Sequence, residues 1–425
     1  MIRFLVKGLL RDRSRLLFPI IIVTIGVLLT VFLHAWIGSL MSDIIRSSAA
    51  FSTGHVRILT KAYAENEDQI PNDLALLDVS EQLQRLQRAF PEMNWACRIR
   101  FGGLLDIADE SGETQAQGPT FGMAVDLLAD NRAAEMGRLN IATAVVRGHL
   151  PTRSGEILIS DEFASRLGIE PGDQATFLGS TMHGSMTMGN FTIAGTLRFG
   201  VPPMDKAALI MDVADAQMLL DMHDAAGEIL GYFPHAIYDH SRAAAIAAAF
   251  NEPYSHSQDE FDPVMLTLKQ QNGLGDYIDM AEGFAGILVT VFIIAMSIVL
   301  WNAGLLGGLR RYGEIGVRLA IGEYKGHIYR SMIAESMVIG LVGSIIGTAV
   351  GSALVYYIQV HGIDFSSMFE NSGLMMNMQV RTRVTAQTFY LGFIPGLFAT
   401  VLGTMLAGIG IYRRKTAQLF KEFEG

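Results

Sequence analysis

Four stretches of the chain are almost free of charge: Leu16–Ile37, Phe284–Leu306, Met332–Ile358 and Tyr390–Ile411. Each exceeds the roughly 20 helical residues that cross about 30 Å of hydrocarbon. Lipid offers no partner to a free peptide group, so spans of this kind are helical. Between the first two stretches the pattern changes. Gly54–Thr60 alternates as a strand does, and Val79–Phe90 sets Val79, Leu83, Leu86 and Phe90 on one helical face. Short strands are expected at Cys97–Phe101, Leu104–Ala108 and Gly122–Asp126, with Glu110–Glu113 as a turn. From Arg147 to Leu220 the punctuation at Gly168 and Pro171-Gly172-Asp173 predicts strand, helix, tight turn, strand, hairpin, two strands and a helix.

The predicted fold is membrane α-helical, with four transmembrane helices and a large α+β domain between helices 1 and 2. Its parts are a terminal segment 1–15, spans at 16–37, 284–306, 332–358 and 390–411, the domain at 42–280, loops at 309–330 and 359–388, and a tail at 412–425. The first span has the basic-then-apolar order of a signal peptide. Its length and the lack of an A-x-A site predict an uncleaved anchor.

Charge orients this layout. Arg3, Lys7, Arg11, Arg13 and Arg15 precede the first span, and Arg310, Arg311, Arg318, Lys325 and Arg330 lie between the second and third. Arg413, Arg414, Lys415 and Lys421 follow the fourth. Residues 42–280 instead hold 16 basic and 33 acidic residues. The positive-inside rule puts both termini and the 309–330 loop in the cytoplasm, and the large domain and the 359–388 loop outside. An acidic domain argues against nucleic-acid binding. With Cys97 the sole cysteine, no intrachain disulfide forms.

No G-x-x-x-x-G-K-[ST], G-x-S-x-G or H-E-x-x-H occurs, so the sequence carries no sign of an enzyme, a phosphate cradle or a zinc protease site. The histidines are scattered, and Asp221, His223 and Asp224 are the nearest thing to a cluster. No metal site and no bound cofactor are expected.

Three patterns remain. Arg310–Gly322 reads R-R-Y-G-E-I-G-V-R-L-A-I-G, a short amphipathic helix with Glu314 and Arg318 at i,i+4 and Gly322 as its stop. In the third span, Glu335 is followed by Gly343, Gly347 and Gly351, a nearly bare face suited to close helix packing. Two methionine-rich segments are candidate substrate or partner contacts. They are Thr181–Gly189, with Met182, Met186 and Met188, and the outer-loop run that includes Met375 and Met376.

Arg310–Gly322 resembles the R-R-x-E-I-G-x-x-R-A-[IL]-G segment of FtsX/MacB-type ABC transporter permeases, from which it departs by the inserted Leu319. The domain motifs R-G-H-L-P-x-x-x-G-E-I-L-I-S (Arg147–Ser160), E-F-A-x-R-L-G-I-x-P-G-D (Glu162–Asp173) and F-T-I-A-G-T (Phe191–Thr196) are similar to the family's periplasmic domain. They are most like those of the lipoprotein-releasing (Lol) permeases. Both prolines of the family's C-terminal tail are missing here, although Arg413 and Arg414 match its arginine pair.

The resemblance implies a bacterial inner-membrane permease with a MacB-like periplasmic domain. ATP and Mg would sit on a separate ABC ATPase docked at Arg310, Arg311, Glu314, Arg318 and Gly322. Glu335 and the glycine face would serve packing and coupling, and a stalk at Gln270–Gly283 would transmit motion. A second permease copy, identical or homologous, and membrane lipid are implied partners. The implied task is release of lipoproteins to a periplasmic carrier. Export of peptides, drugs or toxins, and activation of a cell-wall hydrolase without transport, stand as alternatives.

Overall fold

The computed structural model describes residues 13–109, 111–129, 132–234, 238–271, 273–309, 312–364, 379–380, 382 and 384–413. The chain divides into two compact units, 1–42 with 280–363 and 380–425, and 43–279 with 364–379; the described residues of the first are mainly helical and those of the second are built on a sheet.

The sheet unit holds a ten-stranded mixed sheet. Its strands are β1 (Val56–Thr60), β2 (Asn94–Ala108), β3 (Thr114–Val125), β4 (Val145–Gly148), β5 (Glu156–Ser160), β6 (Gln174–Ser180), β7 (Met186–Leu197), β8 (Ala208–Asp212), β9 (Glu228–Tyr232) and β10 (Pro263–Thr267). The order is β10-β1-β9-β2-β3-β8-β5-β7-β4, with β6 paired to β2 and β7. The β3–β8 and β5–β7 pairs are parallel and the rest antiparallel. Where two strands were expected between Cys97 and Ala108, one long strand runs through Gly102-Gly103. It pairs with β9 in its first part and with β3 and β6 in its second. A Cβ at Gly103 would collide with the Phe177 ring, so glycine lets β6 cross closely there.

Helices α1 (Val79–Ala89), α2 (Asp161–Leu167), α3 (Val213–Leu219) and α4 (His240–Asn251) belong to this unit. Val79 and Leu86 are buried, and Leu83 and Phe90 pack beside them, as the 3.6 period predicts. Ser160 caps α2 by accepting from Phe163 N, and Gly168 at φ +70° ends it. Gly172, at φ +105°, makes the turn into β6.

The core also encloses charge. Arg57, on a strand that reads as alternating, is fully buried and bonds to Glu67 and Glu228. Arg98 is fully buried against Glu135 at 2.8 Å and the carbonyls of Ala50 and Phe51. Isolated buried charges are costly, so these segments depend on partners far away in sequence. Burial pushes the Cys97 thiol up, as befits an inert core thiol.

The helical unit draws on α5 (Arg13–Ser48), α6 (Leu274–Leu309), α7 (Tyr312–Ala320), α8 (Lys325–His361), α9 (Ala386–Leu391) and α10 (Thr400–Arg413), with a π-helical turn at Ile394–Ala399. Among the described residues, four helices are long and apolar enough to cross a membrane: Leu17–Thr53, Leu274–Gly307, Lys325–His361 and Ala386–Ile409. All but the last outrun their apolar stretches considerably, because a helix does not end where hydropathy does. Gly273, at φ +66°, precedes α6, whereas Gly275 lies inside it and breaks nothing.

Candidate functional site

The coupling segment folds as a short helix with two different faces. Ile315 is buried with Ile328 and Met332 of α8, and Leu319 packs beside them. The opposite face is open, with Val317 48% and Ile321 82% exposed, followed by Tyr324 at 85%. Gly322 adopts φ +101° just past the helix, where glycine avoids the cost that a Cβ meets in this region. Its N–H donates to Leu319 O, and Glu323 N–H donates to Arg318 O.

The charges here arrange themselves differently from the i,i+4 expectation for Arg318. Its guanidinium forks onto Glu323, with Nε–Oε2 at 2.7 Å and Nη2–Oε1 at 2.9 Å. A planar guanidinium matches both carboxylate oxygens at once, which favours this fork over a single contact. The Nε2 of His327 lies 3.6 Å from the same carboxylate. Glu323 therefore ties the end of α7 to the first turn of α8. Glu314 is exposed on the first turn of α7. Arg310 and Arg311 lie outside the described residues.

The glycine face of α8 is filled from within the chain. Gly343 meets Val23, Gly347 meets Val27 and the Thr24 carbonyl, and Gly351 meets Val31, all on α5. Val23, Val27 and Val31 repeat every four residues and are fully buried. Matching i±4 rows on two helices let backbones approach closely, which in lipid substitutes for a hydrophobic drive. Gly340, on the same helix, meets Thr400 and the Gly396 carbonyl. Glu335 is half-buried on α8, one turn after Ser331.

The methionine candidates separate. Met182 packs on the core of the sheet unit. Met186 and Met188 are 83% and 66% exposed on β7, while the intervening Thr187 hydroxyl donates to Leu219 O on the other face. Met375 and Met376 lie outside the described residues.

Nothing in this set resembles a reaction centre. A cleft of about 350 Å³ between α1 and α4 is lined chiefly by Leu86, Phe90, Phe250, Pro253 and Tyr254, with Arg85 at its edge and no carboxylate or imidazole in its lining. The Arg318–Glu323 fork and the valine rows were missed in the sequence. The first was visible as an acid just past Gly322, and the second as β-branched residues spaced by four.

Parts of the chain are similar to known proteins. Residues 286–416 match the family "FtsX-like permease C-terminal". Lipoprotein-releasing system transmembrane protein LolC of two Xylella fastidiosa strains is 23% identical over 210 residues, 48% of this chain and 48% of the relative. That stretch thus spans about half the length of the relatives. The macrolide export ATP-binding/permease protein MacB of Hyphomonas neptunium is 33% identical over 78 residues, 18% of this chain and 12% of the relative. Among solved structures, the periplasmic region of MacB from Actinobacillus actinomycetemcomitans overlaps at TM-score 0.36 and 9% identity, covering 55% of this chain and 95% of that one. Residues 286–416 are thus similar to an FtsX-like permease C-terminal region, and they stand beside four apolar helices and a large mixed-sheet domain encoded between the first two of these among the described residues.

Proposed function

We propose that this chain is the permease subunit of an ABC transporter whose ATP and Mg are held by a separate ATPase. It sits in the bacterial inner membrane, with the sheet unit in the periplasm and α7 in the cytoplasm. The charge distribution supports this orientation. The observation that carries the reading is α7 itself. One face is bound to α8 through Ile315 and Leu319, and the other presents Val317 and Ile321 to solvent beside a basic loop. Such a helix transmits force only to a partner that covers its open face, and does so through contacts that differ between that partner's nucleotide states. Glu314 and the forked Arg318–Glu323 pair supply the polar rim.

The substrate proposed is an acylated lipoprotein, taken from the outer leaflet and passed to a periplasmic carrier. The similarity to LolC supports it. The test is a mild-detergent pull-down of the full chain after brief crosslinking, read by mass spectrometry, with Ile321→Asp and Glu314→Arg beside the wild type. An ATPase together with acylated lipoproteins is expected, and less ATPase for either variant at unchanged membrane insertion. ATPase recovery that neither variant alters overturns the docking role of α7. An outer-membrane channel or a cell-wall hydrolase in place of lipoproteins replaces the proposed substrate by export or by hydrolase activation.

A further inference from the structure

The end of α5 is held by side chains that come from elsewhere in the sheet unit. After Ser48 the helix continues as a π-helical turn, Ala49–Thr53, and stops at Gly54 with φ +60°. Residues 43–53 belong to the sheet unit. Such turns are rare and are found frequently at functional positions. The last carbonyls of a helix have no donor within it. Here four in succession receive one from a distant side chain. Arg98 donates to Ala50 O at 3.2 Å and to Phe51 O at 3.0 Å. Arg100 donates to Ser52 O at 2.9 Å, and Gln271 Nε2 to Thr53 O at 3.1 Å.

The donors are themselves fixed. Arg98 and Arg100 stand two apart on β2, and so on one face of it. Arg98 is fully buried and paired with Glu135, and Arg100 Nε lies 3.2 Å from Glu228 of β9. Gln271 is buried too, and it also donates to Thr267 O, at the end of β10, at 3.2 Å. Both guanidinium groups meet the negative end of the helix dipole. A slip or rotation of this turn parts the carbonyls from their donors and leaves a buried guanidinium short of acceptors, which an interior resists. The first turns of α6 are held otherwise. Ile278 is buried with Ala49 and Leu268, Leu274 packs beside them, and the Asp279 partner of Lys269 is mostly exposed.

We propose that Arg98, Arg100 and Gln271 are positioning residues that clamp the end of α5 to the sheet, so that movement of α5 is delivered to β2 and not lost in a loose turn. The proposal rests on the ATPase-driven reading above and adds the place where the stroke enters the sheet unit. The family resemblance puts that role on Gln270–Gly283; the clamp puts it at the end of α5, with Gln271 joining the two segments.

The test uses the full chain with its co-purified ATPase in lipid nanodiscs. It reads hydrogen exchange by mass spectrometry with and without ATP, Mg and vanadate, beside steady-state ATP hydrolysis. In the wild type, nucleotide is expected to change exchange in residues 94–108. Arg100→Lys keeps the charge beside Glu228 but loses the planar fork that serves Glu228 and Ser52 O together. Gln271→Leu removes the donor to Thr53 O. Each variant is expected to lose at least half of the nucleotide-dependent change while recovering the ATPase and hydrolysing ATP as the wild type does. Lost stability alone would not separate hydrolysis from movement in this way. Arg85→Lys, at an exposed pair with Glu81 on α1, is expected to respond like the wild type. Should one clamp variant fail to insert, the other carries the test. A full response in the clamp variants overturns the clamp and leaves the ATPase reading standing. So does a loss in Arg85→Lys equal to theirs, or a loss of hydrolysis together with movement. A wild type that recovers no ATPase, or does not respond to nucleotide, overturns the ATPase reading and the clamp with it.

Discussion

Gly347 offers a direct test of the helix packing. A Cβ there would lie 2.7 Å from the Thr24 carbonyl oxygen and 2.8 Å from Val27 Cβ. Carbon atoms are comfortable at about 3.5–4.0 Å, so even alanine forces α5 and α8 apart or bends one of them. Valine adds two further methyl groups against Val27, a fully buried residue. Overpacking of this kind costs about 1–3 kcal/mol. Leaving glycine in a helix returns up to about 1 kcal/mol of propensity, which offsets only part of that. Gly286 on α6 is the matched control, because nothing lies within 4 Å of a Cβ placed there. The signs therefore split: Gly347→Val lowers the thermal midpoint of the detergent-solubilised chain, and Gly286→Ala leaves it unchanged or raises it. Midpoints are read by intrinsic fluorescence and by loss of the monodisperse gel-filtration peak. A Gly347→Val chain as stable as the Gly286→Ala chain refutes the α5–α8 seam.

Three further outcomes follow from the buried and bridging charges. Burial, with Arg138 adding to it, lowers the His55 pKa to about 4, against an ordinary value of 6.5. The unfolded chain thus binds the extra proton first, and stability falls as pH drops from about 6.5 to about 4, by on the order of 3 kcal/mol. Urea midpoints across that window check it, and His55→Phe should flatten the slope while lowering the baseline, since Phe233 N–H loses its acceptor. Glu135→Ala strands the Arg98 guanidinium in the core and should cost about 3–5 kcal/mol, whereas the double change Arg98→Met with Glu135→Leu should recover most of it, as read by chemical denaturation. Glu323→Gln, at a half-exposed fork, should change stability by less than about 1 kcal/mol yet reduce ATPase-driven release in proteoliposomes, because the tie between α7 and α8 is weakened.

How far the sequence reached depends on the range of the forces involved. Apolar runs report directly on lipid, so the four long helices were legible, as were the glycine-punctuated turns around α2 and the stop at Gly322. Helix ends were not: Asp276, Asp279 and Glu282 lie inside α6, where a polar segment simply continues the helix beyond the apolar stretch. The burial of Arg57 was hidden as well. Its place on an alternating strand predicts exposure, and Glu67 together with Glu228, the latter brought alongside by β9 pairing, makes the interior tolerable. His183 beside Asp221 was hidden for the same reason, since the contact exists only once β6 and β7 form their hairpin.

The glycine face shows how a correct local reading leaves the partner open. Period-four glycines say that some backbone comes close, and in a sequence they suit a second copy as well as a neighbouring helix. The valines of α5 occupy all three positions, so that face is already spent within one chain. A second permease copy, as the family resemblance implies, would therefore pack on other surfaces. Gly347→Val then tests the fold of the single chain and not its pairing. The same logic separates the two faces of α7. Ile315 and Leu319 are fixed to α8 regardless of any partner, so charge changes at Ile321 or Glu314 probe docking, whereas changes at Ile315 would confound docking with the packing beneath it.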